Sequence, residues 1–314
     1  MEYQEPNVVE GTGKAILWTT PRMISTAFAK CMGGIPDCEV WFEPYGYCHF
    51  AREEMGKAGT ADVPISSVGY EEPFQMAAER LGKILSCDFD IERLQYPNVK
   101  RKLEQSDSKY VFVKDQSSGM TDERLRMYLP AGFKHAFLIR HPFLVYNSLR
   151  KAGFKQLSAG NLLDESQNKE DTFDMRYYLA DYYFEDAFQR HYNLWKYVKE
   201  NVDPSVMVID ASDLLNHPGE VMSKYCQAMG FPYSESMLEW EASREVTATW
   251  KWPADTLYQN KAFMGVALES SKFNASAPIP PKDKLTPDVI DLGEKAMPLY
   301  EEMYRNRLQV NVSA

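Results

Sequence analysis

Residues 14–27 read KAILWTTPRMISTA, and they determine the fold that we expect. The first six residues, KAILWT, form a short apolar run that is typical of a buried strand. A turn at Pro21 follows, and residues 23–32 predict a helix that is rich in small side chains at its start. A strand, a tight loop and a helix in this order leave free backbone N–H groups at the helix start, where an anion can bind.

The remaining apolar runs predict a sheet whose strands alternate with helices. Strands are expected at 39–42 (EVWF), 110–114 (YVFVK), 134–140 (KHAFLIR) and 206–210 (VMVID). Helices are expected at 46–55, 73–85, 121–129, 141–151, 174–201 and 287–308, with loops at 56–70, 153–172 and 271–286. This alternation indicates an α/β fold with a mainly parallel sheet and helices on both faces. Such folds bind ligands at the carboxyl ends of their strands, so the residues after each strand are the first candidates for a site.

Size and composition fit one globular domain. The chain has 314 residues, of which 44% are hydrophobic and 25% are charged, as in ordinary globular proteins. We predict a single domain over residues 1–314, with a core at 15–232 and a helical and loop region at 233–314. The formal net charge of −10 argues against a general nucleic-acid binder, and it means that an anionic ligand needs a local basic pocket.

Cysteine usage and the start of the chain bear on the compartment. The five cysteines are widely spaced, and the sequence has neither a Cys-x-x-Cys pair nor a Cys/His cluster with zinc spacing. Residues 1–10 are acidic and polar, unlike a signal peptide, and no apolar run reaches the length of a membrane span. We therefore expect a cytoplasmic protein with reduced thiols, no metal site and no nucleic-acid or membrane partner.

The loop after the first strand carries groups that bind an oxyanion. Arg22 offers a planar fork of donors, and Ser25 and Thr26 offer hydroxyls at the helix start. The helix dipole adds attraction, and the cradle is completed by the backbone of Arg22, Met23, Ile24, Ser25, Thr26 and Ala27. A simpler interpretation, in which Ser25 and Thr26 only cap the helix, fits the loop equally well. Residues 11–14 (GTGK) resemble a nucleotide loop but precede the strand, so they carry little weight.

A second strand end adds another pair of candidates. Residues 137–148 read FLIRHPFLVYNS, so Arg140 ends a strand and Ser148 lies about two turns into the next helix. An arginine fork and a hydroxyl in this arrangement can hold a second phosphate. The competing interpretation is an arginine paired with a carboxylate and a serine that is merely exposed.

Together these motifs resemble the sulfotransferases that use 3′-phosphoadenosine 5′-phosphosulfate. The resemblance lies in Pro-Arg-x-x-Ser-Thr at 21–26, in Arg140 with Ser148, and in residues 210–218 (DASDLLNHP) and 226–232 (CQAMGFP), which occur in the family's order over about residues 15–232. It implies a P-loop NTPase-like three-layer fold. It also implies that the first loop holds the 5′-phosphosulfate, that Arg140 and Ser148 hold the 3′-phosphate, and that 3′,5′-adenosine bisphosphate is the product.

The sequence departs from the cytosolic branch of that family. It is more similar to a branch with Leu-Trp-Thr-x-Pro-Arg loops from plants, algae and invertebrates. The cytosolic branch has Lys, Gly and an aromatic residue where Arg22, Ile24 and Ala27 stand. Because that aromatic residue stacks on adenine, we expect Trp18 or a residue of the C-terminal region to replace it. Residues 261–273 (KAFMGVALESSKF) are the candidate for the family's Gly-rich donor motif.

At the position of the general base the sequence departs from the cytosolic branch. In the cytosolic branch a His follows the Lys at the end of the third strand, whereas Gln116 stands at that position here. Other branches use a Glu after the second strand, where this chain has Glu43. We therefore predict Glu43 as the base, with His49 and Asp115 as alternatives. A Glu that caps a helix or pairs with an arginine is the competing interpretation.

The expected chemistry is an in-line transfer governed by positioning and charge stabilisation. Arg22 is expected to stabilise the transferring sulfuryl group, and Lys114 to assist the leaving group or bind substrate. A P-loop phosphotransferase or kinase is a second hypothesis, although the Gly-Lys-Ser/Thr ending is absent. A non-catalytic nucleotide-binding homologue is a third. The acceptor is expected to be a small alcohol, phenol, amine or unsaturated metabolite, with residues 56–70 and 153–172 around it, and a homodimer is left open.

Overall fold

The computed structural model describes residues 12–60, 62–159, 163–164, 169–178, 184–259 and 267–311. Within these residues the chain forms one sheet in the order β2-β3-β1-β4-β5, and neighbouring strands are parallel throughout. The strands are β1 (Gly13–Thr19), β2 (Cys38–Phe42), β3 (Tyr110–Gln116), β4 (Lys134–Ile139) and β5 (Met207–Asp210).

Helices connect the strands and cover the sheet. They are α1 (Ser25–Gly33), α2 (Pro44–Lys57), α3 (Glu71–Leu85), α4 (Tyr96–Glu104), α5 (Pro142–Ala159), α6 (Met175–Tyr178), α7 (Ala187–Asn201), α8 (Ala211–Asn216), α9 (Pro218–Met229) and α10 (Pro287–Arg305). Short 3₁₀ turns lie between several of them.

Alternate residues of β3 point to opposite faces of the sheet, and they locate the helices. Phe112 stacks on Phe28 of α1 with ring centroids 5.8 Å apart. Asp115, three residues later and so on the other face, accepts a hydrogen bond from the backbone N–H of Tyr45 in α2. On the first face, Tyr225 of α9 meets Phe28 edge-on at 4.9 Å. The helices therefore lie on both faces.

Coverage of both faces explains the composition of the central strands. Every residue of β3 (YVFVKDQ) is buried, and residues 15–19 of β1 are fully buried. A parallel sheet covered on both sides selects such near-continuous apolar runs rather than alternating ones. The predicted α/β fold, with a parallel sheet between layers of helices, is confirmed.

The C-terminal region pairs with both edges of the sheet. At the β2 edge, the Lys251 N–H donates to the Val40 carbonyl at 2.8 Å, and the Phe42 N–H donates to the Lys251 carbonyl at 3.0 Å. At the β5 edge, the Leu308 N–H donates to the Val208 carbonyl at 2.7 Å. These bonds satisfy edge groups that would otherwise be open to pairing with another chain. Isolated bridges from Lys251 and Arg307 thus attach the C-terminal region to the two edges of the sheet.

Three predictions of local structure are wrong in part. The helix expected at 121–129 is a 3₁₀ turn over Glu123–Tyr128, because Leu129 precedes Pro130 and is held extended at φ −58° and ψ 126°. The loop expected at 153–172 begins inside α5, which continues to Ala159 because it packs on α10. The helix expected at 174–201 divides into α6 and α7, and residues 179–183 lie outside the described residues.

Candidate active site

The carboxyl ends of the five strands place candidate residues side by side, as parallel sheets do. In sheet order, Glu43 follows β2, residues 114–116 end β3, the loop at 20–24 follows β1, Arg140 follows β4 and Asp210 ends β5. The loop is therefore central, with the predicted base on one side and the predicted second phosphate site on the other.

The loop after β1 has an unusual backbone. Arg22 has φ 71° and Ile24 has φ 61°, so both non-glycine residues are left-handed. Alternation of left-handed and ordinary conformations turns successive N–H groups towards one concavity, which is a nest for an anion. Ile24 is also the N-cap of α1, and its carbonyl accepts from the N–H of Ala27 at 3.1 Å.

The start of α1 has no side-chain cap within the part of the chain that the structure describes. Its first turn also contains no acidic residue. Ser25 and Thr26 are its first two residues rather than its cap, so the interpretation that they only cap the helix is wrong. Met23 is fully buried, so its side chain packs in the core and does not line the site. The helix start consequently keeps its uncompensated positive dipole and free N–H groups.

The second phosphate pair meets the loop directly. Arg22 Nε donates to Ser148 Oγ at 3.0 Å, although the two residues are 126 positions apart in the chain. Arg140 Nη1 donates to the carbonyl of Arg22 at 2.9 Å and so supports the left-handed residue. The structure thus brings Arg22, Arg140 and Ser148 into one cluster, as the motifs predicted.

This cluster holds positive charge without a matching negative charge. In the described part of the chain, neither Arg22 nor Arg140 forms an ion pair with a carboxylate, so the interpretation of Arg140 as a salt-bridge partner fails there. Partial burial, and then the neighbouring Arg22 cation, lower the pKa of Arg140, while Asp210 acts in the opposite direction. Two adjacent guanidinium groups that repel each other in this way are stabilised by an anion between them.

Glu43 lies at the opposite side of the loop, and it does not cap its helix. It is the N-cap residue of α2 with φ 55°, yet its side chain makes no capping bond. Its Oε1 accepts hydrogen bonds from Lys114 Nζ and, at 2.7 Å, from Gln116 Nε2. Lys114 Nζ also lies over the Phe42 ring, 4.3 Å from its centroid. Glu43 therefore pairs with a lysine, and neither competing interpretation, a helix cap or an arginine partner, describes it.

Asp115 caps α2 in place of Glu43. Its carboxylate accepts from the N–H groups of Tyr45 at 2.8 Å, Gly46 at 2.9 Å and Gln116 at 2.7 Å. Burial raises the pKa of Asp115 to about 7, against the three backbone N–H groups, which lower it. Since Asp115 is fully buried and both oxygens are occupied, it serves the structure of the site.

His49, the other alternative base, lies in the second turn of α2. Its side chain is 8% exposed, and Nδ1 is 3.9 Å from Glu53 Oε1. Burial, and then the charges of Arg190 and Arg52, lower the pKa of His49 to about 3. An imidazole with so low a pKa is a weak acceptor of protons at neutral pH.

The structure corrects the expectation for Trp18. This residue is fully buried in the sheet, and its Nε1 donates to His135 Nδ1 at 3.0 Å. Its ring packs against Tyr45 and His135 at centroid distances of 6.4 and 6.3 Å. Because no edge or face of Trp18 reaches the surface, it cannot stack on an adenine.

The segment expected to replace the Gly-rich motif is described only from residue 267 onwards. There, Lys30 Nζ donates to the carbonyls of Leu268 and Ser270, both at 2.9 Å, and to that of Ala267 at 3.4 Å. Lys30 belongs to α1, so it attaches this segment to the helix that follows the loop at residues 20–24, the anion loop. Sequence reasoning missed Lys30, and the only available signal was a lysine within the otherwise apolar run FAKCM at 28–32.

Residues 200–307 match a family model described as a sulfotransferase domain. The match confirms the resemblance to sulfotransferases that the motifs indicated, and it indicates an enzyme of that class. It covers β5, α8, α9 and α10, whereas the anion loop and Glu43 lie outside it.

Three solved structures are similar over most of the chain at low identity. The sulfotransferase domain of the Synechococcus PCC 7002 olefin synthase is 17% identical, with 94% of this chain and 98% of that chain covered and a TM-score of 0.42. Sulfotransferase STF9 from Mycobacterium avium is 13% identical, with 96% and 78% covered and a TM-score of 0.47. Mouse sulfotransferase SULT7A1 complexed with PAP is 11% identical, with 93% and 85% covered and a TM-score of 0.41. No curated protein matches the chain.

Proposed function

We propose that this protein transfers a sulfuryl group from 3′-phosphoadenosine 5′-phosphosulfate to a small-molecule acceptor. The observation that carries the proposal is the cluster of Arg22, Arg140 and Ser148 beside an uncapped helix start. It offers two adjoining anion sites, and this donor carries an anionic group on each side of its ribose.

Each of the two sites would bind one anionic group of the donor. The backbone of residues 22–27 and the α1 dipole would hold the 5′-phosphosulfate. Arg140 and Ser148 would hold the 3′-phosphate, with Arg22 between the two groups because it bonds Ser148 from within the loop. ATP has no 3′-phosphate, so it would offer no anionic group to Arg140 and Ser148. This cluster therefore favours the sulfate donor over a kinase substrate.

Glu43 is proposed to take the proton of the acceptor. In an in-line transfer the acceptor oxygen or nitrogen bonds to sulfur while the bond from sulfur to the bridging phosphate oxygen breaks. The acceptor's proton passes to Glu43, and 3′,5′-adenosine bisphosphate leaves with the bond's electron pair. Arg22 is placed to stabilise the charge on the leaving phosphate, and Lys114 holds Glu43. The low pKa of His49 and the occupied oxygens of Asp115 support Glu43 over both.

The test combines ligand-induced stabilisation with turnover. For a ligand at a hundred times its Kd, binding adds about 2.7 kcal/mol to the free energy of unfolding, so 3′,5′-adenosine bisphosphate should raise the Tm clearly and ATP far less. Arg140→Ala should weaken bisphosphate binding tenfold to a hundredfold, or about 1.4–2.7 kcal/mol, while Arg101→Ala, on the exposed surface of α4, should leave it unchanged. Glu43→Gln should keep bisphosphate binding and lose turnover with labelled donor and an acceptor found by screening cell extract.

Each of these measurements has an outcome that would contradict a different part of the proposal. Bisphosphate binding that is equally tight in Arg140→Ala and wild type would remove the donor assignment. Magnesium-dependent ATP turnover would favour a phosphotransferase. Bisphosphate binding with no transfer to any acceptor would leave a nucleotide-binding homologue, and full activity of Glu43→Gln would move the base to another residue.

A further inference from the structure

We infer that Gln116 is a positioning residue for Glu43 and that it helps to determine which carboxylate oxygen receives the acceptor's proton. The inference rests on the proposed function, since it concerns the base of that reaction. Gln116 Nε2 and Lys114 Nζ both donate to Oε1 of Glu43, whereas Oε2 has no partner among the described residues. Two donors on one oxygen leave the other oxygen as the available acceptor of a proton.

The end of β3 supplies all of these contacts from three successive residues. Lys114 and Gln116 donate to Glu43, while Asp115 between them holds the N-terminus of α2. One three-residue stretch thereby fixes both the carboxylate and the backbone that carries it.

The Gln116 side chain is itself held in place by close packing. A Cβ on Gly46 would lie 3.2 Å from Gln116 Cγ and 3.3 Å from its Cβ, so the absence of a side chain at Gly46 gives Gln116 its space. Gln116 is buried, and its backbone N–H is fixed by Asp115 Oδ1 at 2.7 Å. A buried amide with so little freedom can fix the orientation of a carboxylate, which a mobile surface side chain cannot.

The position of Gln116 links the base to the donor loop. In the parallel pairing of β1 and β3, Gln116 lies directly opposite Thr19, the last residue of β1. The anion loop begins at the next residues of the chain. The Glu43 side chain keeps 12% of its surface exposed, whereas Lys114 keeps 3%. Gln116 and Lys114 thus leave the Glu43 carboxylate partly accessible. Only β3 separates the strand before Glu43 from the strand before the loop that is proposed to hold the sulfuryl group.

The experiment compares two substitutions of Gln116 that keep its length. Gln116→Met removes the donor, and we expect kcat for sulfuryl transfer to fall tenfold to a hundredfold with the KM for the donor unchanged. Gln116→Glu keeps the shape but puts an acceptor and a like charge against Glu43, so we expect a larger loss than with Met. Gln75→Met is the matched control, since Gln75 is exposed on α3, and its kcat should equal that of wild type.

The outcomes separate this inference from the function on which it rests. If wild type transfers the sulfuryl group and both Gln116 variants keep its kcat, the positioning role of Gln116 is disproved and the proposed function stands. If Gln116→Glu is as active as wild type while Gln116→Met is impaired, Gln116 acts by packing alone, and the inference again fails. If wild type transfers no sulfate, the proposed function itself fails. Unchanged bisphosphate binding and Tm in at least one impaired variant would show that lost positioning, rather than unfolding, caused the loss of kcat.

Discussion

Three residues at the strand ends adopt left-handed backbone conformations without being glycine. They are Arg22, Ile24 and Glu43, with φ values of 71°, 61° and 55°. Such conformations cost about 1–3 kcal/mol each and persist where the surrounding structure holds them, often at functional sites. Ile24 is the most unusual of the three, because its side chain is β-branched. Two other non-glycine residues of the described region, Asp37 and Ser86, share this conformation in turns away from the site, so three of the five lie in the loop after β1 or at the proposed base.

At the residue scale, His135 should make stability depend on pH. Burial lowers the pKa of His135 to about 4 from an ordinary value of 6.5, and its Nδ1 accepts from Trp18. The unfolded chain therefore takes up a proton at higher pH than the folded chain. His135 therefore lowers the free energy of unfolding as the pH falls below 6.5, and this decrease levels off near pH 4. Between pH 7 and pH 5 the decrease is about 2 kcal/mol.

His135→Asn isolates this effect, because its side-chain oxygen can accept from Trp18 but does not titrate in this range. Between pH 7 and pH 5, we expect the variant to lose about 2 kcal/mol less stability than wild type in urea unfolding. His49 and His191, with pKa values lowered to about 3, act in the same direction as His135, and Asp115, with its raised pKa, acts in the opposite one. All three contribute equally to both proteins and cancel in the difference. If the free energies of unfolding of the two proteins change in parallel with pH, His135 does not titrate as described.

At the element scale, the start of α2 depends on a residue of another element. The helix begins with Pro44 and has no cap from its own chain neighbours, since Glu43 turns towards Lys114. Asp115 supplies the cap from the end of β3, 69 residues away from Gly46 in sequence. The arrangement frees the N-cap carboxylate for the site and couples helix stability to the strand.

Asp115→Asn should therefore both destabilise the protein and impair turnover. An amide has one acceptor oxygen for three N–H groups, and its own NH₂ would face donors, so we expect a loss of about 2–4 kcal/mol in the free energy of unfolding. Asp90→Asn is the control, because Asp90 accepts from one backbone N–H, that of Glu92, and its other contact is a solvent-exposed ion pair with Arg93 at 3.1 Å. It should cost less than about 1 kcal/mol. Equal losses in the two variants, measured by urea unfolding, would contradict the role of Asp115.

At the scale of the whole molecule, the C-terminal region is part of the same packed unit as the anion loop. The apolar face of α10 buries Val289, Leu292 and Met303 against α5 and α7. Arg150 of α5 forms a buried ion pair with Asp288 at 3.3 Å. Buried side chains of the described region form one continuous cluster from Ala15 to Met303. None of the helices described is long and apolar enough to cross a membrane.

Removal of α10 should therefore abolish folding of the whole chain. A fragment of residues 1–286 would expose the faces of α5 and α7 and lose several apolar side chains worth about 1.5–3 kcal/mol each. Together these losses are comparable to the usual stability of about 5–15 kcal/mol. We expect no cooperative transition by tryptophan fluorescence or far-UV circular dichroism. A chain of residues 1–308, which keeps the bond from Leu308 to Val208, should unfold cooperatively, as expected for the predicted single domain. A cooperative transition in the shorter fragment would show two independent units.

Local patterns were sufficient for the strands and for most helices. The apolar runs at 14–19, 39–42 and 110–114 each lie within an observed strand, because buried parallel strands select continuous apolar residues. The expected helix at 121–129 overlooked a local signal, since Pro130 keeps Leu129 out of the helical conformation. The length of α5 depends on its packing against α10, which the sequence does not show. The expected role of Trp18 failed because this residue belongs to the buried strand that the apolar run at 14–19 predicts, and no part of its ring reaches the surface.

The sequence by itself predicted the order of the strands along the chain, the loop after β1 as an anion site, and Arg140 and Ser148 as candidates for a second one, because each prediction depends on residues near one another in the chain. Only the tertiary structure decided that Arg22 bonds Ser148, that Asp115 caps α2, and that Lys114 and Gln116 hold one oxygen of Glu43. These contacts join strand ends that are about 70 to 126 residues apart. Register and side-chain direction in the folded sheet fix them, and a linear pattern contains neither.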